Sequence, residues 1–567
     1  MKKLLAIILA VALIGILAAC TQAPAPTATT APTATPTATA APAAPTEMAV
    51  FAATEPESID PAKSAWVHEA TLIAHMFEGL MRWDVTVPGA KPVLGNATDI
   101  KWDGLKATVT LRDGLVWNDG KPLTAKDYEF AWKRHADASL ATAYGSTMIA
   151  YFKGGMDAYN AVQKAIDDKA TYDLKTIQDG IAIKATDDKT LTFELASPCG
   201  YFDYILAFPC MVPVREDTIT ANGDKWTQTP DTYICNGRYV MSERKPNELI
   251  QLKKNDKYWD KDSTKMEIID FKLLKDEIAA YAAYQTDEIC FTNNIPLGEM
   301  ETALKSPDYI STPLLGLYYY DFNVKKKPLD NAKVRQALAL AIDKKYIVTT
   351  VTKQNQIPAY GIVPEGIMDA GEKTFREVAG NMLEADYEKA VAQAKQLLAD
   401  AGYKDGKGLP KIEVSYNSNS QGHKNIAEAI TNMWKEKLGI NAALNPVEGS
   451  VFNSYRMKLE HQVARDGWIM DWADPSNMLD LFKKDSGNNH TGWSNETFEA
   501  KMIEAANSTD QAVRMAAFHV AEQTAIADMP VAPIYYYTNN FMLKPYVDGI
   551  CFSPLGNIYF WNCTLTK

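Results

Sequence analysis

The chain has no excess of basic residues and no long apolar run beyond its amino terminus. Its 58 Lys and Arg are outnumbered by 70 Asp and Glu, which gives a formal net charge of −12. That balance argues against a nucleic-acid partner and against adhesion of the protein surface to anionic lipid. Because no stretch after Ala19 is long and apolar enough to cross a bilayer, we expect no transmembrane domain.

Catalytic signatures are missing as well. The sequence has no Gly-x-x-x-x-Gly-Lys-Ser/Thr loop, no Gly-x-Ser-x-Gly elbow and no Cys-x-x-Cys pair. A Ser-His-Asp triad assembled from distant residues stays open, because triads have no fixed order along a chain.

Cysteine is scarce, with seven residues in 567. The six that follow Cys20 suggest two short loops and one remaining pair: Cys199–Cys210, Cys551–Cys563 and Cys235–Cys290. Export would permit such disulfides. Six cysteines allow fifteen pairings, so the sequence does not decide among these pairs, other pairs and free thiols.

The amino terminus has the composition of an export signal. Lys2 and Lys3 precede an apolar run from Leu4 to Ala19, which is shorter than the roughly 20 residues of a spanning helix. The ending "LAAC" resembles the lipobox of bacterial lipoproteins, in which the cysteine receives a diacylglyceryl group and becomes the new amino terminus. We therefore expect residues 1–20 to be a lipoprotein signal with the lipid on Cys20. An ordinary signal peptide with a chance cysteine is the alternative.

Residues 21–47 are almost wholly Ala, Thr and Pro. Such a segment has too little apolar surface to offset its ordering entropy, and its prolines favour extended conformations. We expect a disordered tether that holds a folded body off a membrane surface, with a mucin-like glycosylated stalk as the alternative.

The rest of the chain alternates short strands with amphipathic helices. Apolar periodicity predicts helices over 387–403 and 425–440, and strands in "LKATVTLR", "TLTFELA", "EIIDFKLL" and "YYYDFNV". Interleaved strands and helices over this length predict α/β lobes around mixed sheets, with more than one lobe.

The stretch "GWIMDWADPSNMLD", at 467–480, places Asp471 among aromatic and apolar residues. Burying an unpaired carboxylate there would be costly. Either the segment is a solvated loop, or a positive charge comes to lie beside Asp471.

Five stretches, taken in order, resemble the solute-binding proteins of peptide ABC importers, the oligopeptide- and dipeptide-binding family. They are "IDPAKSAWVHEATLIAHMFEGLMRWD", "LRDGLVWNDGKPLTAKDYEFAWKRHAD", "CNGRYVMSERKPNELIQLKKNDKYWD", "YYYDFNVKKKPLDNAKVRQALALAIDKKYIV" and "VAPIYYYTNNFMLKPYVDGI". The resemblance runs from about 48 to 567 and is closest to the oligopeptide-binding branch.

This resemblance implies a periplasmic-binding-protein-like α/β clamp of two lobes and three domains, with mixed sheets and a hinge. The ligand would be buried between the lobes when they close. The first domain would be discontinuous, from 48–79, 208–315 and 540–567. An inserted second domain would occupy 80–207, and the opposing lobe 316–539.

The resemblance also implies that Asp471 binds the amino terminus of a peptide. Read as a strand, "VARDGWIMDW" places Arg465, Gly467, Ile469 and Asp471 on one face. The main chain of this strand would then run beside the peptide, as in strand addition, and Gly467 would let the peptide backbone approach the strand closely.

Other family positions carry over one at a time. Val67 would offer main-chain hydrogen bonds, Tyr144 and Tyr537 would line the cleft near the start of the peptide, and Trp468 would form the wall of a side-chain pocket. The peptide carboxylate would meet a cation chosen by peptide length, from Arg456, Arg465, His423 and, as a looser match, Lys353. Arg456 and His423 also fit an ordinary surface role, and Tyr535 and Tyr536 fit a buried strand.

Three residues depart from the family pattern. Ala65 stands where some oligopeptide binders have an acidic residue, so Asp471 would be the main anionic partner. Gly316 and Ile469 stand at cysteine positions of the best-known branch, so any disulfides here are different ones.

The implied function is that of a membrane-anchored lipoprotein, at the cell surface or in the periplasm. It would bind oligopeptides and deliver them to an ABC permease, as a monomer and without enzyme activity, cofactor or metal. Two rivals remain. One is the same fold with another solute, such as a dipeptide, a nickel chelate or an oligosaccharide, and the other is a secreted hydrolase.

Overall fold

The structure is a computed structural model that describes residues 46–51, 55–84, 91–274 and 276–566. The described residues form one compact unit. The predicted signal, Cys20 and nearly all of the predicted tether lie outside the described residues. In the part of the chain that the structure describes, no helix is long and apolar enough to span a membrane.

Short strands and helices alternate along the chain, as the periodicity predicts. The strands are β1 Glu47–Phe51, β2 Met81–Asp84, β3 Lys91–Leu94, β4 Ala97–Asp103, β5 Lys106–Leu111, β6 Ile183–Ala185, β7 Thr190–Glu194, β8 Tyr239–Lys245, β9 Leu249–Lys254, β10 Ile268–Lys272, β11 Phe291–Thr292, β12 Tyr309–Phe322, β13 Ile357–Pro358, β14 Ile412–Asn417, β15 Ala442–Val447, β16 Val463–Ile469, β17 Val531–Leu543, β18 Val547–Asp548, β19 Cys551–Phe552, β20 Ile558–Tyr559 and β21 Thr564–Leu565.

The α-helices fall between these strands and are mostly short. They are α1 Val67–Met76, α2 Ala125–Lys133, α3 Gly145–Ile149, α4 Gly155–Asp167, α5 Leu174–Gln178, α6 Phe202–Leu206, α7 Glu216–Asn222, α8 Glu277–Gln285, α9 Met300–Ala303, α10 Ala332–Leu340, α11 Lys344–Tyr346, α12 Phe375–Ala379, α13 Tyr387–Asp400, α14 Gln421–Leu438, α15 Gly449–Met457, α16 Pro475–Leu479, α17 Glu496–Ala506 and α18 Gln511–Asp528.

The predicted elements are present with shifted ends. The helix expected over 387–403 is α13, and the helix expected over 425–440 is α14, which begins earlier because the Ser420 hydroxyl accepts a bond from the His423 N–H. α14 ends at Gly439, whose φ of 72° is a left-handed conformation that suits glycine. The run "YYYDFNV" covers only the end of β12, since the residues before it also pair with β17.

Most strands join one large mixed sheet. Its order is β15-β14-β16-β12-β17-β11-β1-β10-β9-β8, with β13 added against β17. β14 is parallel to β15 and β16, and β1 is parallel to β10 and β11, whereas the other neighbours are antiparallel. A separate antiparallel sheet has the order β4-β5-β7-β6.

Two large apolar cores contain most of the buried side chains. One is built mainly from residues between 48 and 291 together with 541–565, and the other mainly from residues between 315 and 536. β12 and β17 contribute to both, and their pairing register shifts between Pro313 and Leu317. These two long strands therefore connect the cores.

None of the suggested disulfide pairs is formed. Cys199, Cys210, Cys235, Cys551 and Cys563 are thiols. Burial raises the pKa of the Cys199 and Cys235 thiols to about 12, so both stay protonated and unreactive at neutral pH.

Candidate functional site

Strand β16 has an edge that is mostly without a neighbouring strand among the described residues. On one side it pairs with β12 along its whole length, 463–469. On the other side β14 pairs only with Val463 and Ala464. The two strands separate beyond this point, which leaves an open edge from 465 to 469.

The hydrogen-bonding groups of this open edge come from alternate residues. The Met470 N–H donates to the Leu315 carbonyl at 2.8 Å, which fixes the phase of the pairing with β12. The main-chain groups of Arg465, Gly467 and Ile469 therefore turn away from β12. An extended chain can add to such an edge by strand pairing.

Asp471 lies in a bend two residues beyond β16. The Tyr144 hydroxyl donates to its Oδ1 at 2.9 Å, and its own N–H donates to Asn477 Oδ1 at 3.2 Å. Burial raises the pKa of the Asp471 carboxyl, and no cation among the described residues forms an ion pair with it. The carboxylate is therefore neither freely solvated nor neutralised.

The aromatic residues around Asp471 belong to different cores. Trp472 enters the first core, where its ring stacks on Tyr201 at 5.2 Å between centroids. Trp468 packs against the second core and donates its indole N–H to Asn477 Oδ1 at 2.8 Å. Asp471 thus lies at the boundary between the two cores.

A cavity of about 220 Å³ opens beside Asp471. Four of the residues predicted from the sequence line it: Val67, Tyr144, Ile469 and Asp471. Its other walls are mostly apolar and come from distant parts of the chain, including Trp66, Trp83, Phe208 and Leu555. Trp66 is 54% exposed, Val67 45% and Ile469 43%, which marks this surface as a place where a ligand can cover apolar area.

Arg465 lies at the opposite end of the open edge. Its guanidinium carbon is 5.1 Å from the centroid of the Tyr318 ring, and its buried Nε has no hydrogen-bond partner. Burial alone would lower its pKa, but Tyr318, Tyr537 and Asp466 raise it, so the group stays charged. No carboxylate in the described ranges forms an ion pair with Arg465, because the nearby Asp466 pairs with Arg456 instead.

His423 lies near Arg465, with its Nδ1 3.1 Å from the Tyr318 hydroxyl. Burial and the charge of Arg465 lower the pKa of His423 to about 3, so the imidazole is neutral at pH 7. A neutral imidazole can donate a hydrogen bond to a carboxylate but adds no positive charge. His423 can therefore contribute a hydrogen bond to a peptide carboxylate, but not the positive charge that the resemblance implied.

Gly467 makes room for Tyr537. A Cβ atom on Gly467 would lie 2.5 Å from the Tyr537 hydroxyl oxygen. A Cβ atom on Gly316, which pairs with Ile469 across β12 and β16, would lie 3.0 Å from the Tyr537 ring. The glycine expected to admit a peptide backbone also lets Tyr537 cover this face of β16.

Arg456, on α15, is already engaged within the protein. Its Nη1 forms an ion pair with Asp466 Oδ1 and lies 3.4 Å from the Arg465 carbonyl oxygen. Its Nη2 donates to Asn453 Oδ1 at 3.1 Å. Only 10% of the Arg456 side chain and 6% of the Asp466 side chain are exposed, so this is an internal pair.

Asp466 belongs to a buried cluster that the sequence analysis missed. Its Oδ2 lies 2.8 Å from His490 Nδ1, and Asp321 Oδ2 lies 3.9 Å from the same nitrogen. Burial and Asp466 raise the pKa of Asp321 well above its usual range. Burial would also raise the pKa of Asp466, but His490, Arg456 and Asp321 lower it, so Asp466 is the ionised member.

Donor atoms of Asp321, Asp466 and His490 lie within 4.8 Å of one another, as in a metal site. However, the Arg456 guanidinium already neutralises Asp466. The raised pKa of Asp321 also disfavours a second negative charge in the cluster. These three residues are therefore better suited to an ion pair with Arg456 than to binding a divalent cation.

Lys353 lies apart from this group. It follows a π-helical turn, Ile347–Thr352, and is exposed, with a φ of 55°. Its neighbour Gln354 accepts hydrogen bonds from Thr538 and Asn540. Lys353 does not line the cavity beside Asp471.

The sequence held a signal for the missed cluster. Alternation along β16 places Asp466 on the face opposite to Arg465 and Gly467, among residues that pack inward. A charged residue on an inward face needs a partner. The partners lie on other elements, Arg456 on α15 and His490 in a later loop, which no local pattern connects to Asp466.

Comparisons with known proteins agree with this geometry. The family model of bacterial extracellular solute-binding proteins, family 5 (middle region), matches residues 89–490. The oligopeptide-binding protein OppA of Bacillus subtilis strain 168 is 34% identical over 529 residues, which cover 91% of this chain and 92% of OppA.

Solved structures share the fold. The unliganded open form of the periplasmic murein tripeptide binding protein MppA matches with a TM-score of 0.78 and 30% identity, over 92% of this chain and 97% of that one. Listeria monocytogenes OppA bound to peptide matches with a TM-score of 0.68 and 26% identity, over 92% and 99%. The two-lobe clamp with mixed sheets is confirmed.

The relatives are solute-binding proteins of transporters and not enzymes, so the hydrolase alternative is set aside. An extracytoplasmic location follows from the family. The chain belongs to the family 5 bacterial extracellular solute-binding proteins, in which it is similar to the oligopeptide-binding protein OppA.

Proposed function

We propose that this protein is a lipid-anchored monomeric receptor that binds oligopeptides and delivers them to an ABC-type importer. One observation carries the proposal: the half-buried Asp471 carboxylate has no ion-pair partner of opposite charge in the described residues, and neither has the Arg465 guanidinium. They lie at the two ends of one open strand edge. A zwitterionic peptide supplies an α-ammonium for Asp471 and an α-carboxylate for Arg465.

The spacing of these two charges sets the direction and the length of the peptide. With its amino terminus at Asp471, the peptide runs antiparallel to β16. It bonds to the Gly467 carbonyl and to the main chain of Ile469, because the Gly467 N–H already donates to Asp466 Oδ1 and the Arg465 carbonyl already faces Arg456. The six residue steps from Arg465 to Asp471 span at most roughly 20 Å, since the last two lie beyond β16, and both side chains reach inward by several ångströms. At about 3.5 Å per residue, the gap suits a peptide of about three to five residues.

Specific roles follow for the predicted cleft residues. Tyr144 holds the Asp471 carboxylate in place, Val67 and Ile469 border the cavity for the first side chain, and Trp468 and Tyr537 flank the peptide. The apolar walls of the cavity favour an apolar first residue. Closure of the lobes, whose boundaries remain those expected from the family resemblance, would dry the Asp471 pair and strengthen it.

Calorimetry with a tetrapeptide and its blocked forms tests the proposal. The free tetrapeptide should bind and be recovered intact, while amino-terminal acetylation or carboxyl-terminal amidation should each weaken binding by at least about 30-fold. Equal affinity for free and doubly blocked peptides would contradict the proposal. So would preferential binding of a nickel chelate or an oligosaccharide, the other solutes considered.

The membrane anchor is tested separately. Support for it comes from "LAAC" and from the tether composition. Cys20→Ala should release the protein from washed membranes without changing its peptide affinity, because the tether separates the anchor from the fold. Retention of the variant on salt-washed membranes would overturn lipid anchoring and leave peptide binding untouched.

A further inference from the structure

We infer that Asp466 is a specificity-determining residue, because it holds Arg456 in an internal ion pair and leaves Arg465 to fix where the peptide ends. The inference rests on the proposed function and deepens it. It concerns a residue that does not touch the ligand and acts through Arg456.

The first step is the position of the Arg456 guanidinium. Its Nη1 lies 3.4 Å from the carbonyl oxygen of Arg465, and that carbonyl belongs to the open edge of β16. The guanidinium therefore lies at the end of the edge that a peptide would occupy. From this position an unpaired Arg456 could reach a peptide carboxylate.

The second step is the strength of the hold on Arg456. Its guanidinium bonds to Asp466 through Nη1 and to Asn453 through Nη2. Asp466 is in turn fixed by the Gly467 N–H, which donates to its Oδ1 at 2.7 Å, and by His490. Both charges are almost fully buried, and breaking such a pair leaves an uncompensated charge.

The third step is the contrast with Arg465. Arg465 forms no such ion pair with a carboxylate among the described residues, whereas Arg456 does. Two arginines, Arg465 on β16 and Arg456 on α15, thus lie near one end of the cleft, and only Arg465 is available. A single available cation narrows the range of peptide lengths that can be held at both ends at once.

The test measures carboxylate discrimination, the ratio of the dissociation constants of an amidated and a free-acid peptide. It uses a series from dipeptide to hexapeptide. In the wild type this ratio should exceed about 30 at one or two neighbouring lengths only. Arg465→Met should abolish it, because no second cation is free.

The decisive variant removes both members of the internal pair. Arg456→Met/Asp466→Leu removes both charges of the pair together, so neither is left buried without the other, and it should fold. It should keep the discrimination and the length profile of the wild type within about threefold. A loss of about tenfold or more would show that Arg456 binds the carboxylate in the wild type and would overturn the inference.

The opposite variant frees Arg456. Asp466→Asn keeps the shape of the side chain and an acceptor for the Gly467 N–H but removes the charge that holds Arg456. It should extend discrimination to peptide lengths outside the wild-type range, and part of it should survive when Arg465→Met is added. If the length profile does not change in a folded Asp466→Asn variant, Asp466 does not set specificity.

A matched control comes from the same lobe. Arg376 forms a buried pair with Glu522 and bonds to the Val363 carbonyl, in the second core. Arg376→Gln should lower the melting temperature without altering the length profile. If wild-type protein binds no peptide, the proposed function fails. If it binds with discrimination that the double variant loses, only this inference fails.

Discussion

The two ends of the open edge of β16 differ in how their charged residues are partnered. At the Asp471 end, a single carboxylate lies beside an apolar cavity and accepts a hydrogen bond from the neutral Tyr144 hydroxyl, while the Asp471 N–H donates to Asn477 Oδ1. At the Arg465 end, two arginines lie near the proposed position of the peptide carboxylate, and one of them, Arg456, forms an internal ion pair with Asp466. A charged residue in a binding cleft therefore indicates a ligand charge only if it does not already form an ion pair within the protein.

The two ends also differ in whether their charges are paired in the free protein. The Arg456–Asp466 pair is complete without a ligand and stabilises the lobe. Asp471 and Arg465 have no ion-pair partner without a ligand, so we expect each charge to destabilise the free protein and to be compensated when a ligand of opposite charge binds. We expect substitutions at the two kinds of site to move stability and affinity in different directions.

The largest effect should come from reversing the charge at the Asp471 end. Asp471→Lys places a cation where the peptide ammonium would lie, so free peptides should lose more than about 1,000-fold in affinity. Calorimetry measures this loss. An amino-terminally acetylated peptide is the control, because it carries no ammonium and should be affected much less.

Removing the cation at the other end should cost less. Arg465→Met leaves the neutral His423 and the Tyr318 hydroxyl as hydrogen-bond donors, so the loss for a free tetrapeptide should be about 30-fold. Amidated peptide should bind the variant and the wild type alike. If Arg465→Met weakened amidated and free peptides equally, the effect would be on the fold of the cleft and not on the carboxylate.

The pH dependence should differ between the ends. Burial raises the pKa of Asp471, so its protonation on acidification should weaken binding of free peptides at a higher pH than an ordinary aspartate would. The Arg465 end should not titrate between pH 5 and 8, because His423 has a pKa of about 3 and is already neutral. A tenfold affinity change between pH 6 and 8 that survives Asp471→Asn would contradict this assignment.

The smallest effect concerns the free protein. Because the pKa of Asp471 is raised in the folded state, the folded protein binds this proton more tightly than the unfolded chain does. Its contribution to stability therefore falls as pH rises from the ordinary aspartate pKa of 3.8 through the raised pKa, and ionised Asp471 destabilises the folded protein. Asp471→Asn should leave the melting temperature unchanged or raise it by about 1 °C. A clear fall would mean that the carboxylate has a structural partner.

The sequence predicted the parts of this account that local patterns determine. Periodicity predicted α13 and α14. The strand read over 463–472 is present as β16 but ends at Ile469, so Asp471 lies beyond it. The aromatic setting of Asp471 left two alternatives, a solvated loop or a carboxylate beside a cation. The family resemblance supplied the clamp. These features depend on neighbours in the chain or on an ordered set of motifs.

The internal pairing of Arg456 could not be predicted in the same way. It depends on the inward orientation of Asp466, on His490 from a later loop and on the position of Asp321 on the neighbouring strand. The neutral state of His423 likewise depends on burial beside Arg465. Such properties arise from contacts between distant elements, and they decide which of several plausible cations is available.

The central claim is that Asp471 and the peptide ammonium form one interaction. A calorimetric double-mutant cycle tests it most directly, with wild type and Asp471→Asn, each titrated with a free and an amino-terminally acetylated tetrapeptide. Either change alone should cost about 2–5 kcal/mol, and both together should cost little more than one, because they remove the same contact. Full additivity of the two losses, or an Asp471→Asn variant that binds the free peptide as the wild type does, would contradict the account.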